Sequence, residues 1–431
     1  MAQGPLGRSV SIVSAAYSPL GDVTKTPEIL NFSERELFAM TAIEAMQKGG
    51  VRAKDIDALY LGCSGPAAQA KIKSAAPFFT DWVGMRGKPA YFHDEGCGSA
   101  AAGLQMAAQA IASGQCDCVL TGGVNINFSS AKAGFPPHMR RRQDADETRE
   151  SMLTGCDAAY ELEGDGGNVP PLEGVMVSYM LKHGLTNKDL DECFVNYLVK
   201  KREEAILNPK AVNATMTYAE EAKKFRCDTV EKYLFSNKYN PPMGSIIRAR
   251  FLGQLCDGAS SVILMETELA KKYVKNPIEI SGIATVTALD KTFCTVPLKA
   301  DEDLFSEIYR QAGITDPYRE VEYMGIHDCP ATMILPVAED AGYFKPGEAF
   351  RYMIEGRLNH DSNKPINTTG GRTQSGHPRA GAFNIELAEA VDQMRGAAGV
   401  RQMNFMPKTA VVWGGGSGFT NAACVLRKVG E

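Results

Sequence analysis

The stretch HDEGCGSAAAGLQMAAQAIA, residues 93–112, is the part of this sequence that most strongly indicates its fold. Glycines on both sides of Cys97 let the backbone approach another molecule closely, because glycine has no Cβ. The small residues that follow predict a central helix, Ser99–Ser113, with Gly114 as its cap. A cysteine at a helix N-terminus faces unpaired N–H groups and the positive end of the helix dipole, which stabilise a thiolate. Cys97 is therefore a candidate nucleophile, although a buried, inert cysteine also fits the local sequence.

The rest of the chain alternates apolar strands with helices, which indicates an α/β protein. The second part repeats the plan of the first. In the first part the predicted strands are Val10–Ala16, Ala58–Cys63, Cys116–Gly122 and Ser260–Met265, and the predicted helices are Glu34–Gly49 and Ser99–Ser113. In the second part the predicted strands are Ile278–Val286, Val321–His327, Ala410–Trp413 and Ala422–Arg427, and the predicted helices are Leu304–Ala312 and Gly381–Met394. A polar insertion, residues 127–248, interrupts the first part and includes the predicted helices Tyr218–Phe225 and Asp228–Phe235.

His377 lies in a second glycine-rich stretch, NTTGGRTQSGHPRAGA, residues 367–382, which also precedes a predicted helix. Its place in the second part matches that of Cys97 in the first. Two similar halves would bring both helix starts together and form a nucleophile with its activating base. A lone histidine is more often structural, but the glycine-rich frame and the symmetric placement favour the catalytic interpretation.

Two further stretches are candidates for the same site. His327-Asp328-Cys329-Pro330 closes a predicted strand, where an imidazole and a thiol suit proton transfer and oxyanion binding. The sequence WGGGSG, residues 413–418, lacks the pattern of a phosphate-binding loop. We interpret it as a tight turn after the penultimate strand, whose N–H groups enter an active site.

Composition excludes several other classes of protein. The 431 residues are 44% hydrophobic and 23% charged, and the net charge of −5 favours neither nucleic acid nor an anionic membrane. No window approaches the ~18 apolar residues of a membrane helix, and no leader peptide is recognisable. The 11 cysteines include no CxxC pair and the six histidines are scattered, so we expect neither a disulfide framework nor a metal site. A reducing cytoplasm fits this cysteine usage.

Five blocks in order resemble the thiolase superfamily, and within it the sterol-carrier-protein-type thiolases. The resemblance covers essentially the whole chain. The blocks are Asp94–Ala100, Asn208-Pro209 with Ala211, Cys256–Ala259, His327-Asp328-Cys329, and Gly376-His377-Pro378 with Gly381-Ala382.

The resemblance implies a fold of two βαβαβαββ halves stacked in five layers, αβαβα. It implies one half from residues 1–126 plus 249–270, a loop domain over the pantetheine from 127–248, and a second half from 271–431. It also implies that Cys97 becomes acylated and that His377 takes its proton. His327, with a water, would hold the thioester oxygen, and the N–H groups of Cys97 and Gly414 would form a second oxyanion hole.

The sequence departs from the family pattern at three places. Val412-Trp413-Gly414 stands where most thiolases have Cys-x-Gly, so we expect Cys329 to replace the missing acid/base. Pro330 replaces a phenylalanine, and no histidine-rich stretch precedes Asn208.

The implied activity is that of an acyltransferase that cleaves a 3-oxoacyl-CoA with CoA as co-substrate and no bound cofactor. Some such thiolases work with a small zinc-ribbon/OB-fold protein, and one pair cleaves 2-benzoylsuccinyl-CoA into benzoyl-CoA and succinyl-CoA in toluene degradation. The chain would then be a homodimer, or part of a heterotetramer in which the partner holds the zinc. Arg372 and Arg379 flank His377 and would pair with a substrate carboxylate, or else lie on a helix surface. Open alternatives are an acetoacetyl-CoA thiolase, another condensing enzyme of this fold, and a non-catalytic acyl-CoA or lipid carrier.

Overall fold

A computed structural model describes residues 7–64, 75–126, 169–287, 297–416 and 420–429. Within these ranges the strands belong to one mixed sheet. They are β1 Val10–Tyr17, β2 Ala58–Cys63, β3 Ala90–His93, β4 Cys118–Asn125, β5 Gly258–Glu266, β6 Ile278–Thr287, β7 Tyr323–Ile326, β8 Thr409–Gly416 and β9 Thr420–Lys428.

The α-helices of the described residues range from single turns to long segments. They are α1 Glu34–Gly49, α2 Ala76–Thr80, α3 Ser99–Ala112, α4 Val169–His183, α5 Asn187–Leu207, α6 Tyr218–Lys224, α7 Val230–Leu234, α8 Thr267–Ala270, α9 Lys299–Ala312, α10 Pro317–Glu320, α11 Ile334–Asp340, α12 Glu348–Ile354, α13 Gly371–Ser375 and α14 Ala382–Arg395.

The strand order shows two related halves. The sheet runs β3-β2-β4-β5-β1-β6-β9-β8-β7. β1 and β6 open their halves and pair with each other at the centre through Ser11 with Glu279 and Ile12 with Ile278. Outward from this junction each half continues with an antiparallel strand, β5 or β9, and then with β4 or β8. β2 and β7 follow as parallel neighbours of β4 and β8. The repeated plan predicted from the sequence is present in the sheet.

The helices make five layers with the two halves of the sheet. α1 packs on β1 and β5, and α9 packs on β6 and β9. α3 and α14 contact each other and lie between the halves, α3 against β2 and β4 and α14 against β1 and β8. One hydrophobic core fills the space beside α1, a second surrounds α3 and α14, and a third lies beside α9. This αβαβα succession is the predicted fold class.

Two glycines let the central helices begin against strand ends. A Cβ added to Gly62 would lie 2.6 Å from the Cβ of Ser99, the first residue of α3. A Cβ added to Gly123 would lie 2.1 Å from the carbonyl oxygen of Ala380, just before α14. Such distances exclude any side chain. The starts of both helices are thereby fixed at the same end of the sheet.

Some predicted boundaries are wrong. β8 continues to Gly416, so Gly414, Gly415 and Gly416 belong to the strand and not to the predicted turn after Trp413, and residues 417–419 lie outside the described ranges. The short strand β3 was missed because only four residues, AYFH, form it. The helix predicted at Leu304–Ala312 begins earlier, at Lys299.

The insertion between β4 and β5 is described from residue 169 onward, and its earlier part, 127–168, lies outside the described residues. Its long helices α4 and α5 pack with residues of the second half. Tyr179 of α4 and Phe194 of α5 lie in the same hydrophobic core as Phe305 of α9. Within the described ranges, no helix is both long and apolar enough to cross a bilayer.

Candidate active site

Cys97 lies on a tight turn that precedes α3. Gly96 takes a φ of 57°, which favours glycine, and the Gly98 N–H donates to the Glu95 carbonyl at 3.0 Å. The Ser99 hydroxyl accepts from the Glu95 N–H at 2.8 Å and donates to the Gly96 carbonyl at 2.7 Å. One hydroxyl therefore closes the turn from both sides, and Cys97 stays partly exposed at its tip.

His93 supports this turn from behind. Its Nε2 lies 2.8 Å from the Ser99 carbonyl oxygen, so Nε2–H donates there. Burial lowers the pKa of His93, which keeps the ring neutral. The ring packs against Gly103 of α3, where an added Cβ would lie 3.0 Å from Cε1. Sequence reasoning assigned no function to His93, although it begins the most informative stretch of the sequence.

His377 is held by a short backbone ladder that joins the two halves. Its N–H donates to the Gln254 carbonyl at 2.7 Å, and its own carbonyl accepts from the Cys256 N–H at 3.2 Å. Gly253 makes the close approach possible, since an added Cβ would lie 2.8 Å from Cys329 Sγ and 3.2 Å from His377 Cβ. Sequence reasoning missed Gly253, because it lies just before the recognised block that begins at Cys256.

His327 directly follows β7, and its N–H donates to the Trp413 carbonyl of β8 at 3.1 Å. The next residue, Asp328, is completely buried and anchors the turn. Its carboxylate accepts from the Tyr197 hydroxyl at 2.8 Å and the Thr373 hydroxyl at 2.7 Å. Tyr197 belongs to α5 of the insertion, and no local motif could have indicated this contact.

The fold brings three candidate residues together. The Sγ of Cys97 and ring nitrogens of His327 and His377 all lie within 4.8 Å of one another. The two imidazole centroids are 4.7 Å apart and the rings are inclined by 70°. This is the separation of groups that exchange a proton directly or through one water.

The two histidines are neutral in this pocket. Burial lowers the pKa of His327 to about 3, and the charge of Arg372 acts in the same direction. Burial also lowers the pKa of His377 well below its usual value, with His327 and the arginines Arg372 and Arg379 adding to the effect. A neutral imidazole has one nitrogen free to accept a proton and one N–H to donate.

Cys329 lies beside the same pocket. It shares the contact with Gly253, and burial together with the nearby Cys97 raises its pKa to about 12. Its thiol is therefore protonated at neutral pH and suits proton donation.

Arg372 does not occupy either of its predicted positions. It is fully buried, and Nη2 lies 2.7 Å from Oε1 of Glu386, a residue of α14. Because Glu386 neutralises this charge, the expected pairing with a substrate carboxylate is not supported, and a helix-surface position is wrong. Arg379 differs, because its side chain is partly exposed and makes no hydrogen bond or ion pair with the described residues. Its charge contributes to the low pKa of His377 and partly opposes the rise in the pKa of Cys329.

The glycine of β8 that contacts the Cys97 turn is not the one that was predicted. A Cβ added to Gly416 would lie 2.1 Å from the Glu95 carbonyl oxygen and 3.1 Å from the Gly98 nitrogen. Gly416 is thus the glycine in contact with the Cys97 turn. Gly414 instead packs on the ring of Phe383, and its predicted place in an oxyanion hole stays a prediction. Val412 is completely buried in the central core.

Family models match both halves of the chain. A model described as thiolase, N-terminal domain, matches residues 10–161, and one described as thiolase C-terminal domain-like matches residues 302–428.

Curated relatives match much of the chain at low identity. An acetyl-CoA acetyltransferase of Methanothermobacter thermautotrophicus is 25% identical, over 92% of this chain and 93% of the relative. The benzoylsuccinyl-CoA thiolase subunit BbsB of Thauera aromatica is 25% identical over 55% of this chain and 58% of the relative. Sterol carrier protein 2 of Oryctolagus cuniculus is 24% identical over 74% of this chain and 55% of the relative.

Solved structures share the fold over nearly the whole length. An Ltp2-ChsH2(DUF35) aldolase has a TM-score of 0.74 at 20% identity, over 99% of both chains. Human mitochondrial 3-ketoacyl-CoA thiolase in complex with CoA has a TM-score of 0.63 at 18% identity, over 98% of this chain and 99% of the other.

The contact between β8 and the Cys97 turn gives a first prediction. Gly416→Ala places a methyl group against backbone, so we expect it to lower the free energy of unfolding by about 1–3 kcal/mol. Gly415→Ala is the matched control, because its Cβ would meet mainly the Asn421 side-chain oxygen, at 3.0 Å. Denaturant unfolding of both variants measures the difference, and equal losses would contradict the described contact.

Proposed function

Since the chain belongs to the thiolase superfamily, we propose that it cleaves the carbon–carbon bond of a 3-oxoacyl-CoA with CoA, through an acyl-enzyme on Cys97. The single observation that supports this proposal is the convergence of Cys97, His327 and His377 within 4.8 Å. A thiol, a neutral acceptor for its proton and a second imidazole are the groups that acyl transfer requires. They come from segments that are far apart in the sequence, so chance proximity within one motif does not explain the cluster.

The first step is acylation. His377 takes the Cys97 proton while the sulfur attacks the 3-keto carbon, which gives a tetrahedral alkoxide. Breaking the C2–C3 bond leaves the acyl group on sulfur and releases the remaining acyl-CoA as an enolate. His327 stabilises the thioester oxygen of this enolate, directly or through a water. Each such donor typically contributes about 3 kcal/mol, or roughly 100-fold in rate.

The second step restores the enzyme. The Cys329 thiol protonates the enolate at carbon, and its raised pKa keeps the proton available at neutral pH. The thiol of CoA gives its proton to the Cys329 thiolate, and its sulfur attacks the carbonyl carbon of the acyl-enzyme. The bond between the acyl group and Cys97 then breaks, the Cys97 sulfur recovers the proton held by His377, and acyl-CoA leaves. Cys329 thereby takes the role of the cysteine that most thiolases have at the position of Val412.

A lyase of the same fold is the main rival, because one structural neighbour is named an aldolase. A retro-aldol cleavage needs a base and an oxyanion site but no sulfur nucleophile. The proximity of Cys97 to two imidazoles therefore favours a thiolase. A carrier without catalytic function would not need the two histidines beside Cys97.

We propose the identity of the acyl group from the positive charge of Arg379. Arg379 is a partly exposed cation near the pocket, and its φ of 33° is strained for a residue other than glycine. Such a cation suits a substrate with a free carboxylate, and we name 2-benzoylsuccinyl-CoA, which would give benzoyl-CoA and succinyl-CoA. The likeness to BbsB supports this choice, and acetoacetyl-CoA is the alternative.

The assembly is also a proposal. We take the insertion, residues 127–248, as the domain that covers the pantetheine of CoA, between halves formed by 1–126 plus 249–270 and by 271–431. A homodimer, or a heterotetramer with a small zinc-ribbon/OB-fold protein, fits the family. The name of the aldolase neighbour, Ltp2-ChsH2(DUF35), includes a DUF35 component, and BbsB is named as a subunit.

Cys97→Ala removes the nucleophile, so we expect no acyl-enzyme and no thiolytic turnover, with the free energy of unfolding within about 1 kcal/mol of the parent. Intact-protein mass spectrometry after mixing with acyl-CoA measures the covalent adduct. Cys227→Ala, in the segment between α6 and α7, is the control and should acylate normally. Turnover by the Cys97→Ala variant would refute the proposal.

Cys329→Ala should reduce deuterium exchange at the α-carbon of acyl-CoA by at least about 100-fold, because general acid–base groups contribute 10²–10⁴-fold. Acylation of Cys97 should persist, since that step uses His377. Exchange is followed by proton NMR in D₂O. Exchange at the parent rate would assign the proton transfer to another group.

Arg379→Gln should lower kcat/KM for 2-benzoylsuccinyl-CoA by about 10- to 100-fold, because a hydrogen bond to a charged group contributes about 1.5–3 kcal/mol. The value for acetoacetyl-CoA, which has no carboxylate, should change little. Arg319→Gln, on the exposed helix α10, is the control. Equal losses for both substrates would show that Arg379 does not select the carboxylate.

A further inference from the structure

We propose that the active-site pocket also binds a soft divalent cation such as Zn²⁺, through Cys97 Sγ and ring nitrogens of His327 and His377, and that the bound ion reversibly inhibits the enzyme. The inhibition rests on the proposed function, whereas the binding rests on geometry alone. The scattered histidines and cysteines of the sequence predicted no metal site, because the ligands come together only in the folded chain.

The ligand set and its spacing are those of a zinc site. Cysteine sulfur and imidazole nitrogen bind Zn²⁺ at ~2.3 Å and ~2.0–2.1 Å, which places the ligand atoms of a tetrahedral site about 3.3–3.6 Å apart. The three atoms here lie within 4.8 Å of one another. Closing the site therefore requires the separations to shorten by at most about 1.2–1.5 Å, and rotation of the partly exposed Cys97 side chain supplies such a movement.

A second observation points to a ligand in this space. Both ring nitrogens of His377 are buried and have no hydrogen-bond partner among the described residues, and the residue is 2% exposed. A buried polar group without a partner costs about 1–3 kcal/mol. A metal ion bound to one of these nitrogens would satisfy it. A buried nitrogen without a hydrogen-bond partner, close to a thiol and a second imidazole, is typical of a cation site.

The coordination would remain open. Within the described part of the chain, the group of atoms close enough to share an ion has three members. Three protein ligands leave the fourth tetrahedral position to water or to an incoming thiol. Histidine ligands usually donate their other nitrogen to a partner that strengthens binding by 10–100-fold. His377 has no such partner among the described residues, which favours a reversible ion over a permanent structural one.

Binding would stop catalysis at its first step. The ion replaces the proton of the Cys97 thiol, so one proton is released and the sulfur lone pairs are held by the metal. It also occupies the nitrogen of His377 that would accept the proton. A chelator restores the thiol, so inhibition is reversible.

The test uses the reduced full-length chain and two probes, Co²⁺ and Zn²⁺. We expect Co²⁺ to give a thiolate-to-cobalt charge-transfer band at one equivalent, and Zn²⁺ to displace it. Cys97→Ser should abolish the band, and His327→Gln should weaken Zn²⁺ binding at least tenfold in competition with a chromophoric chelator. Cys227→Ser is the matched control and should bind as the parent does. Circular dichroism confirms that each variant is folded.

A charge-transfer band that persists in Cys97→Ser would overturn the site, because the ion would then use other cysteines. Unchanged Zn²⁺ affinity in His327→Gln would overturn it as well. Both measurements need no substrate, so they remain decisive if the enzyme fails to cleave 3-oxoacyl-CoA. Where it does turn over, full activity at saturating Zn²⁺ would overturn the inhibition, and recovery with EDTA would support it.

Discussion

The packing of two helices between two halves of a sheet constrains the rest of this molecule. A helix covered on two faces has little surface open to water, so the residues on those faces must be small or apolar, or paired when charged. α3 meets this requirement with alanine and glycine along most of its length. The same small residues let β2 and β4 approach its start, as the contact between Gly62 and Ser99 requires. Cys97 and His377 each precede one of these helices, so the layer that organises the fold also positions the chemistry.

α14 satisfies the constraint differently, through buried ion pairs. Glu386 pairs with Arg372 at 2.7 Å, and Glu389, one turn further, pairs with Arg401 at 2.9 Å. Breaking one such pair typically destabilises a protein by about 3–5 kcal/mol, because a buried charge is left without its partner. Of the two pairs, the one formed by Arg372 and Glu386 contains a charge that affects the pKa of His327 and His377. Burial is the main cause that lowers the pKa of His327 and His377 and keeps them neutral, and the Arg372 charge acts in the same direction.

The sequence predicted those features that repeat along the chain or stand in short motifs. α1 was predicted with its observed bounds, and the two-half plan followed from strands that recur in the same order. Three candidate residues of the site were found because glycines surround two of them and a strand ends at the third. Contacts between distant segments were not predictable. Tyr197 reaches Asp328 from α5, and Gly253 fits between Cys329 and His377, yet neither residue has a distinctive local pattern. For Arg372 the sequence left two positions open, beside a substrate carboxylate or on a helix surface, and its buried pairing with Glu386 of α14 became visible only in the folded chain.

The loss of the family cysteine at Val412 is compatible with catalysis because of how β7 and β8 pair. They are parallel neighbours, with Ile326 opposite Trp413, and the His327 N–H bonds to the Trp413 carbonyl. The residues just beyond β7 therefore lie beside the end of β8 that contacts the Cys97 turn. The carboxyl ends of adjacent parallel strands share one edge of the sheet, so the residues that follow β7 lie at the same edge as the Cys97 turn. Val412 adds apolar surface to the central core, and Cys329, which we propose as the acid/base, lies three residues beyond the end of the neighbouring strand β7. The proposed transfer of the acid/base role from β8 to the residues after β7 therefore requires no change in the positions of Cys97, His327 and His377.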